Sequence, residues 1–141
     1  GQAEGLSLLD VETVMTPHKR VTPVTGTCAK SGEAVAGYEI HMGRTEGADT
    51  DRPFASLDGT PDGATSANGR IQGTYLHGAF ASDGFRRAWL ATVGGKADEA
   101  FIYGAEVEHA LDALADGVEE TVDVDALFAL AQPPGWTPTV P

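Results

Sequence analysis

The stretches GYEIHMGRT at residues 37–45 and GTYLHGAF at residues 73–80 decide how this chain folds. Each places a histidine, His41 or His77, at the end of a predicted strand and near a glycine. In α/β proteins, strand ends that open into loops hold reactive groups, because the rigid sheet aims the side chain into a crevice. A histidine there can act as a general base near neutral pH. By spacing alone, however, a packing or hydrogen-bonding role is the commoner outcome for such a histidine.

The neighbouring segments have strand and turn composition. Residues 6–15 are apolar enough for a buried strand or a short helical turn, which Thr16-Pro17 ends. Residues 19–41 are rich in β-branched side chains and predict a hairpin. Asn68-Gly69 predicts a second hairpin turn, whose return strand is residues 70–76.

The last third of the chain has helical periodicity. Ser82 is a candidate N-cap for a helix that Gly94-Gly95 ends. A second helix is predicted from Ala105, and a short third helix over residues 124–131. Strands come first and helices last, which predicts an α/β chain with a mixed β-sheet flanked by helices. The proline-rich segment at residues 132–141 is expected to be a disordered tail.

Composition and charge limit the possible partners. The net charge is −12, and residues 98–125 contain ten acids without a lysine or arginine, so nucleic acid is an unsuitable partner. No stretch reaches the roughly 20 apolar residues of a membrane helix, and no signal peptide is visible. The single cysteine, Cys28, excludes a disulfide framework and a multi-cysteine metal site. We therefore expect a cytoplasmic protein without a metal centre, and its start without methionine predicts a longer parent protein.

The combination of YEIHMGRTEG with GTYLHGAF, the opening GLSLLDVETVM and the following KRVTPVTG resembles the C-terminal glutamine amidotransferase domain of the cobyric acid synthase family. The resemblance covers residues 4–131, and residues 1–131 are predicted to be the C-terminal portion of such a domain. YEIHMGRT favours this family over the cobyrinate diamide synthases and the cell-wall amidotransferases. The resemblance implies a class I glutamine amidotransferase-like fold with a helical tail.

The resemblance also implies the catalytic residue. The family's catalytic histidine is the one in GTYLHG, here His77, which takes the proton of a cysteine thiol and later protonates the departing ammonia. Many triad amidotransferases carry a glutamate two residues later, whereas this chain has Ala79, which matches the variant family without a carboxylate at that position. The family's cysteine lies in a Gly-x-Cys-Gly-Gly sequence upstream of the region of Gly5, and this chain contains no such sequence. Cys28 is predicted to be structural, so the chain alone is expected to be inactive.

Two further residues are implied to line the glutaminase pocket. Arg44 is predicted to bind the α-carboxylate of glutamine through its bidentate guanidinium. The alternative is that Arg44 and Glu46 only brace a loop. His41 is the second predicted substrate-binding residue, with a packing role as its alternative.

For the whole protein, the resemblance implies amidation of the carboxylates of adenosylcobyrinic acid a,c-diamide in cobalamin biosynthesis. This chain would release ammonia from glutamine and need no cofactor. ATP and magnesium would act in a separate synthetase domain that also binds the corrinoid, and no phosphate-binding GxxxxGK[ST] sequence occurs here. An uncovered sheet edge predicts self-association. The alternatives are a non-catalytic binding or regulatory module with an amidotransferase-like fold, or one piece of a split enzyme.

Overall fold

A computed structural model describes residues 1–131 of the chain. The chain divides into two units, Gly1–Tyr103 and Gly104–Pro141, and the strands all belong to the first. The tail at residues 132–141, for which the sequence predicts disorder, lies outside the described residues.

The first unit is built on a β-sheet. The strands are β1 (Glu12–Cys28), β2 (Ala34–Glu46), β3 (Ala55–Leu57), β4 (Thr60–Asp62), β5 (Ala64–Thr65), β6 (Gln72–Gly73) and β7 (Leu76–His77). The main sheet has the order β4-β3-β1-β2-β7, and β5 pairs with β6 in a small second sheet. All of these pairs are antiparallel. Together with the helices, the sheet confirms the predicted α/β class.

The long hairpin of β1 and β2 confirms the prediction for residues 19–41. Gly32 at its turn has a φ of 72°, a left-handed conformation that glycine adopts without strain. The predicted end at Thr16-Pro17 is wrong, because β1 continues through it as one strand. The pairing of β1 with β2 is irregular between Val14 and Lys19. A proline is tolerated there because an irregular ladder does not need its missing N–H.

The second hairpin forms around Asn68-Gly69 as predicted, with β5 and β6 as its arms. Its return strand is shorter than the predicted residues 70–76. The chain leaves the ladder after Gly73 and pairs again only at β7, in the other sheet. Residues 74 and 75 instead contact the side chain of Asp62.

The helices are α1 (Asp83–Thr92), α2 (Tyr103–Thr121) and α3 (Val124–Leu130), close to the predicted positions. Ser82 occupies the N-cap of α1 as predicted, but its hydroxyl does not cap the helix. It accepts a hydrogen bond from the backbone N–H of Ala36 on β2, at 3.1 Å. Ser82 thus fastens the start of α1 to the sheet. Within residues 1–131, none of the helices is long and apolar enough to cross a membrane.

Asp83 begins α1, and its carboxylate stabilises the fold in the ionised form. The backbone N–H of Tyr103 and the guanidinium of Arg86 both donate to its carboxylate and lower its pKa. A lowered folded-state pKa stabilises the fold above the unfolded value, and this stabilisation is lost as the pH falls through the folded-state pKa.

The hydrophobic core lies between the β1–β2–β3 region and α1. Its buried members are Val24, Cys28, Val35, Phe54, Ala55, Leu57, Leu76, Ala79 and Phe85. Phe85 of α1 is 1% exposed. Its ring meets those of Phe54 at 5.7 Å and Phe80 at 5.3 Å between centroids. The core therefore supports Ala79–Ala81, the 3-10 turn that follows His77 and Gly78.

Candidate functional site

His77 lies at the end of β7, where the sequence places it. The residue pairs with Tyr38 of β2, and its neighbour Leu76 pairs with Glu39. Leu76 is buried, whereas His77 and Tyr38 are both exposed. Paired residues in antiparallel strands project from the same face of the sheet. The imidazole of His77 therefore shares a solvent-exposed face with Tyr38 and is accessible to a second group.

His41 lies on the same strand as Tyr38 but three residues further along β2. Because side chains alternate along a strand, an odd separation places His41 on the face opposite to Tyr38 and His77. The burial agrees with this, since the side chain of His41 is only 18% exposed. The sheet thus separates the two candidate histidines.

The imidazole of His41 contacts protein groups with both nitrogens. Nε2 lies 2.8 Å from Oε1 of Glu39, and Nδ1 lies 3.1 Å from the carbonyl oxygen of Gly43. Its ring stacks on that of Tyr75, with 4.2 Å between centroids. Substrate binding by His41 stays a prediction, and these contacts give it a role in holding Tyr75.

The contacts of His41 extend into a wider polar network. Glu39 also accepts from Nε of Arg20 on β1, at 2.7 Å. The hydroxyl of Tyr75 lies 2.5 Å from that of Thr45, which in turn lies 2.7 Å from the hydroxyl of Thr13. Both β1 and β2 are therefore joined by side chains to the segment that precedes His77.

Gly37 allows β7 to approach β2. A Cβ atom at Gly37 would collide with the carbonyl oxygen of His77 and press on the side chain of Leu76. Glycine is thus required at position 37, because the backbone of β7 occupies the space that a side chain would fill.

Asp62, at the end of β4, binds the segment just before His77. Its carboxylate accepts hydrogen bonds from the hydroxyl of Thr74 and from the backbone N–H of Tyr75. The pKa of Asp62 is raised overall, chiefly by burial and also by nearby Glu39, although these hydrogen bonds and nearby His41 lower it. Because the folded-state pKa is raised, Asp62 contributes to the stability of the fold at low pH. This contribution is lost as the pH rises through the folded-state pKa.

Arg44 lies near the far end of β2. It is six residues from Tyr38, or about 20 Å along an extended strand. Its side chain is 78% exposed and pairs with Glu46 at 2.5 Å. This ion pair matches the alternative in which the two residues brace a loop, and binding of glutamine by Arg44 stays a prediction.

Cys28 is a member of the core. Its side chain is 3% exposed at the end of β1, and its backbone N–H donates to the carbonyl of Glu33 at 2.9 Å. The thiol is therefore packed among apolar side chains, as the structural interpretation of Cys28 requires. Among residues 1–131, no group of three or more His, Cys, Asp or Glu side chains is arranged to hold a metal ion.

A cavity of about 820 Å³ lies beside β7. Its lining includes Leu76, Gly78 and the rings of Phe54, Phe80 and Trp89. Alternation along β7 directs Leu76 toward the cavity and His77 to the opposite face. The cavity therefore lies on the face of β7 opposite to the imidazole of His77.

The sequence alone did not single out Asp62 and Thr74. Asp62-Gly63 reads as a turn signal, and Thr74 reads as an ordinary β-branched strand residue. The one available signal was the position of Thr74, three residues before His77 within GTYLHG.

The family model and the similar curated proteins indicate the same family for this chain. The family model of the CobB/CobQ-like glutamine amidotransferase domain matches residues 1–85. A protein of Hyphomonas neptunium named cobyric acid synthase is 55% identical over 136 residues, which cover 96% of this chain and 28% of the relative. Proteins of the same name from Cereibacter sphaeroides and Rhodobacter capsulatus are each 57% identical over 132 residues, covering 94% of this chain and 27% of each relative. The chain thus spans little more than a quarter of the length of these relatives.

Proposed function

The chain belongs to the family of CobB/CobQ-like glutamine amidotransferase domains, and from this membership we propose that it supplies the catalytic histidine of a glutaminase. His77 removes the proton from a cysteine thiol, which attacks the amide carbon of glutamine. The same imidazole then protonates the nitrogen that leaves as ammonia. The exposure of His77 at the end of β7, in the GTYLHG sequence, supports this role.

The nucleophile is proposed to come from outside these 141 residues. The only cysteine of the chain is buried in the core, and it lies on a strand without the sharp turn to a helix that exposes such a thiol. The exposed face shared by His77 and Tyr38 leaves the imidazole free to meet a second group.

For the whole protein, we propose the activity for which its relatives are named. A cobyric acid synthase would use the ammonia to amidate peripheral carboxylates of adenosylcobyrinic acid a,c-diamide in cobalamin biosynthesis. A synthetase domain outside residues 1–131 would bind the corrinoid and activate each carboxylate with ATP and magnesium. Because this reaction consumes ATP and glutamine, the proposed location is the cytoplasm.

The proposed partners are glutamine and the synthetase domain. Self-association of the isolated chain also stays a prediction. Exposed apolar side chains on the β1–β2 hairpin support it, among them Met15 at 67%, Val21 at 56% and Tyr38 at 55% exposure.

An assay of the isolated chain tests whether the nucleophile comes from outside these 141 residues. The purified 141-residue chain should release no glutamate from glutamine above a buffer blank, because its only thiol is buried. The protein as encoded by its gene, assayed in parallel, should release glutamate. Hydrolysis by the isolated chain that Cys28→Ser abolishes would identify Cys28 as the nucleophile and overturn the proposal.

Arg44 allows a sharp test of the predicted carboxylate contact. If Arg44 binds the α-carboxylate of glutamine, Arg44→Ala should raise the KM for glutamine roughly tenfold or more, since a charged hydrogen bond contributes about 1.5–3 kcal/mol. Glu46→Ala is the matched control, because it breaks the same exposed ion pair, which itself contributes only about 0–1 kcal/mol. An equal KM in the two variants would leave Arg44 with the loop-bracing role alone.

A further inference from the structure

The strand that carries His77 is too short to fix the histidine by its own ladder. β7 contains only two residues, and it lies at the edge of the main sheet. Residues 74 and 75 just before it belong to no strand. A two-residue edge strand has few ladder hydrogen bonds, so other contacts must determine the position of its backbone.

Thr74 supplies one set of these contacts. Its hydroxyl donates to Oδ2 of Asp62 and accepts the backbone N–H of Leu76 at 3.0 Å. Because the hydroxyl hydrogen of Thr74 points to the carboxylate, a lone pair of the hydroxyl oxygen accepts the N–H of Leu76. A single side chain therefore joins β4 to the backbone of β7.

Asp62 binds the same segment a second time. Besides Thr74, its carboxylate accepts the backbone N–H of Tyr75. Two donors from adjacent residues constrain both the position and the direction of the chain, because they fix two points on one peptide segment. The ring of Tyr75 also stacks on that of His41.

The placement of Asp62 is unfavourable apart from these contacts. Its carboxylate is partly withdrawn from water and lies near a second carboxylate, that of Glu39, and the two effects together raise its pKa. A carboxyl group withdrawn from water without hydrogen-bond partners destabilises a fold. The hydrogen bonds from Thr74 and Tyr75 supply such partners for Asp62.

We propose that Asp62 and Thr74 are positioning residues, which hold the backbone before His77 so that its imidazole meets the thiol and the departing nitrogen of glutamine. This inference rests on the proposed glutaminase role of His77. Neither residue touches the reacting atoms. Both act through the two peptide units that lead into β7.

The test uses the protein as encoded by its gene, with either glutamine or ammonium chloride as the nitrogen donor. Thr74→Val keeps the shape of the side chain and removes the hydroxyl. It should lower the glutamine-dependent kcat roughly ten- to a hundredfold, since a displacement of about 1 Å can cost a factor of 10². The KM for glutamine and the ammonia-dependent rate should stay within about twofold of the parent values.

Conservative variants separate positioning from general stabilisation. Thr74→Ser restores the hydroxyl and should recover the glutamine-dependent kcat. Asp62→Asn keeps one acceptor oxygen and should lose less activity than Asp62→Ala. Thr60→Val is the matched control, because Thr60 is an exposed threonine on the same β3–β4 hairpin. It should leave both activities unchanged.

Two outcomes overturn the inference. One is a glutamine-dependent kcat of Thr74→Val equal to that of the parent. The other is an equal loss of both activities without recovery in Thr74→Ser, which would assign the pair to folding. Failure of the proposed function gives a different result, because His77→Ala would then retain glutamine-dependent turnover whatever the Thr74 variants do.

Discussion

His77→Ala in the protein as encoded by its gene should lower glutamine-dependent amidation by roughly 10²–10⁴-fold, the usual contribution of a positioned acid–base group. Alanine cannot take the thiol proton or protonate the departing ammonia. The rate with ammonium chloride should stay within about twofold of the parent, because free ammonia bypasses the glutaminase. Because His77 is exposed, the fold should tolerate the substitution. Both rates can be measured by the formation of amidated corrinoid.

His109→Ala is the control for this prediction. His109 is an exposed histidine on α2, so the same substitution there should change neither rate. An equal loss of both activities in His77→Ala would mean that His77 supports the structure, and its catalytic assignment would fail. Unchanged activity with glutamine would favour the non-catalytic module instead.

Phe85→Ala should lower the free energy of unfolding of the 141-residue chain by about 3–5 kcal/mol, the usual range for deletion of a buried aromatic ring. Phe85 is 1% exposed, and its ring packs against those of Phe54 and Phe80. The resulting cavity would lie under the 3-10 turn that follows His77. Urea unfolding followed by circular dichroism measures the change.

Phe128→Ala gives the matched comparison. The side chain of Phe128 on α3 is 72% exposed, so its removal should change the free energy of unfolding by no more than about 0.5 kcal/mol. A loss below about 1 kcal/mol for Phe85→Ala would show that the core around α1 collapses to fill the space, or that it contributes little to the stability of the chain.

The sequence by itself determined the local elements and the family. β-branched residues and turn glycines predicted the β1–β2 hairpin, Asn68-Gly69 predicted the second turn, and apolar periodicity predicted α1 to α3. These signals are readable because each depends on residues within a few positions of one another. The two histidine stretches also identified the family, because their wording is specific to it.

Only the tertiary structure decided how the candidate residues are arranged. The hydroxyl of Ser82 reaches a backbone N–H 46 residues away instead of capping its own helix. His41 and His77 fall on opposite faces of the sheet, a consequence of the register between β2 and β7. Thr74 leaves the ladder for a carboxylate 12 residues earlier. Such contacts depend on which strands become neighbours and in what register, and neither is encoded in the local spacing of residues.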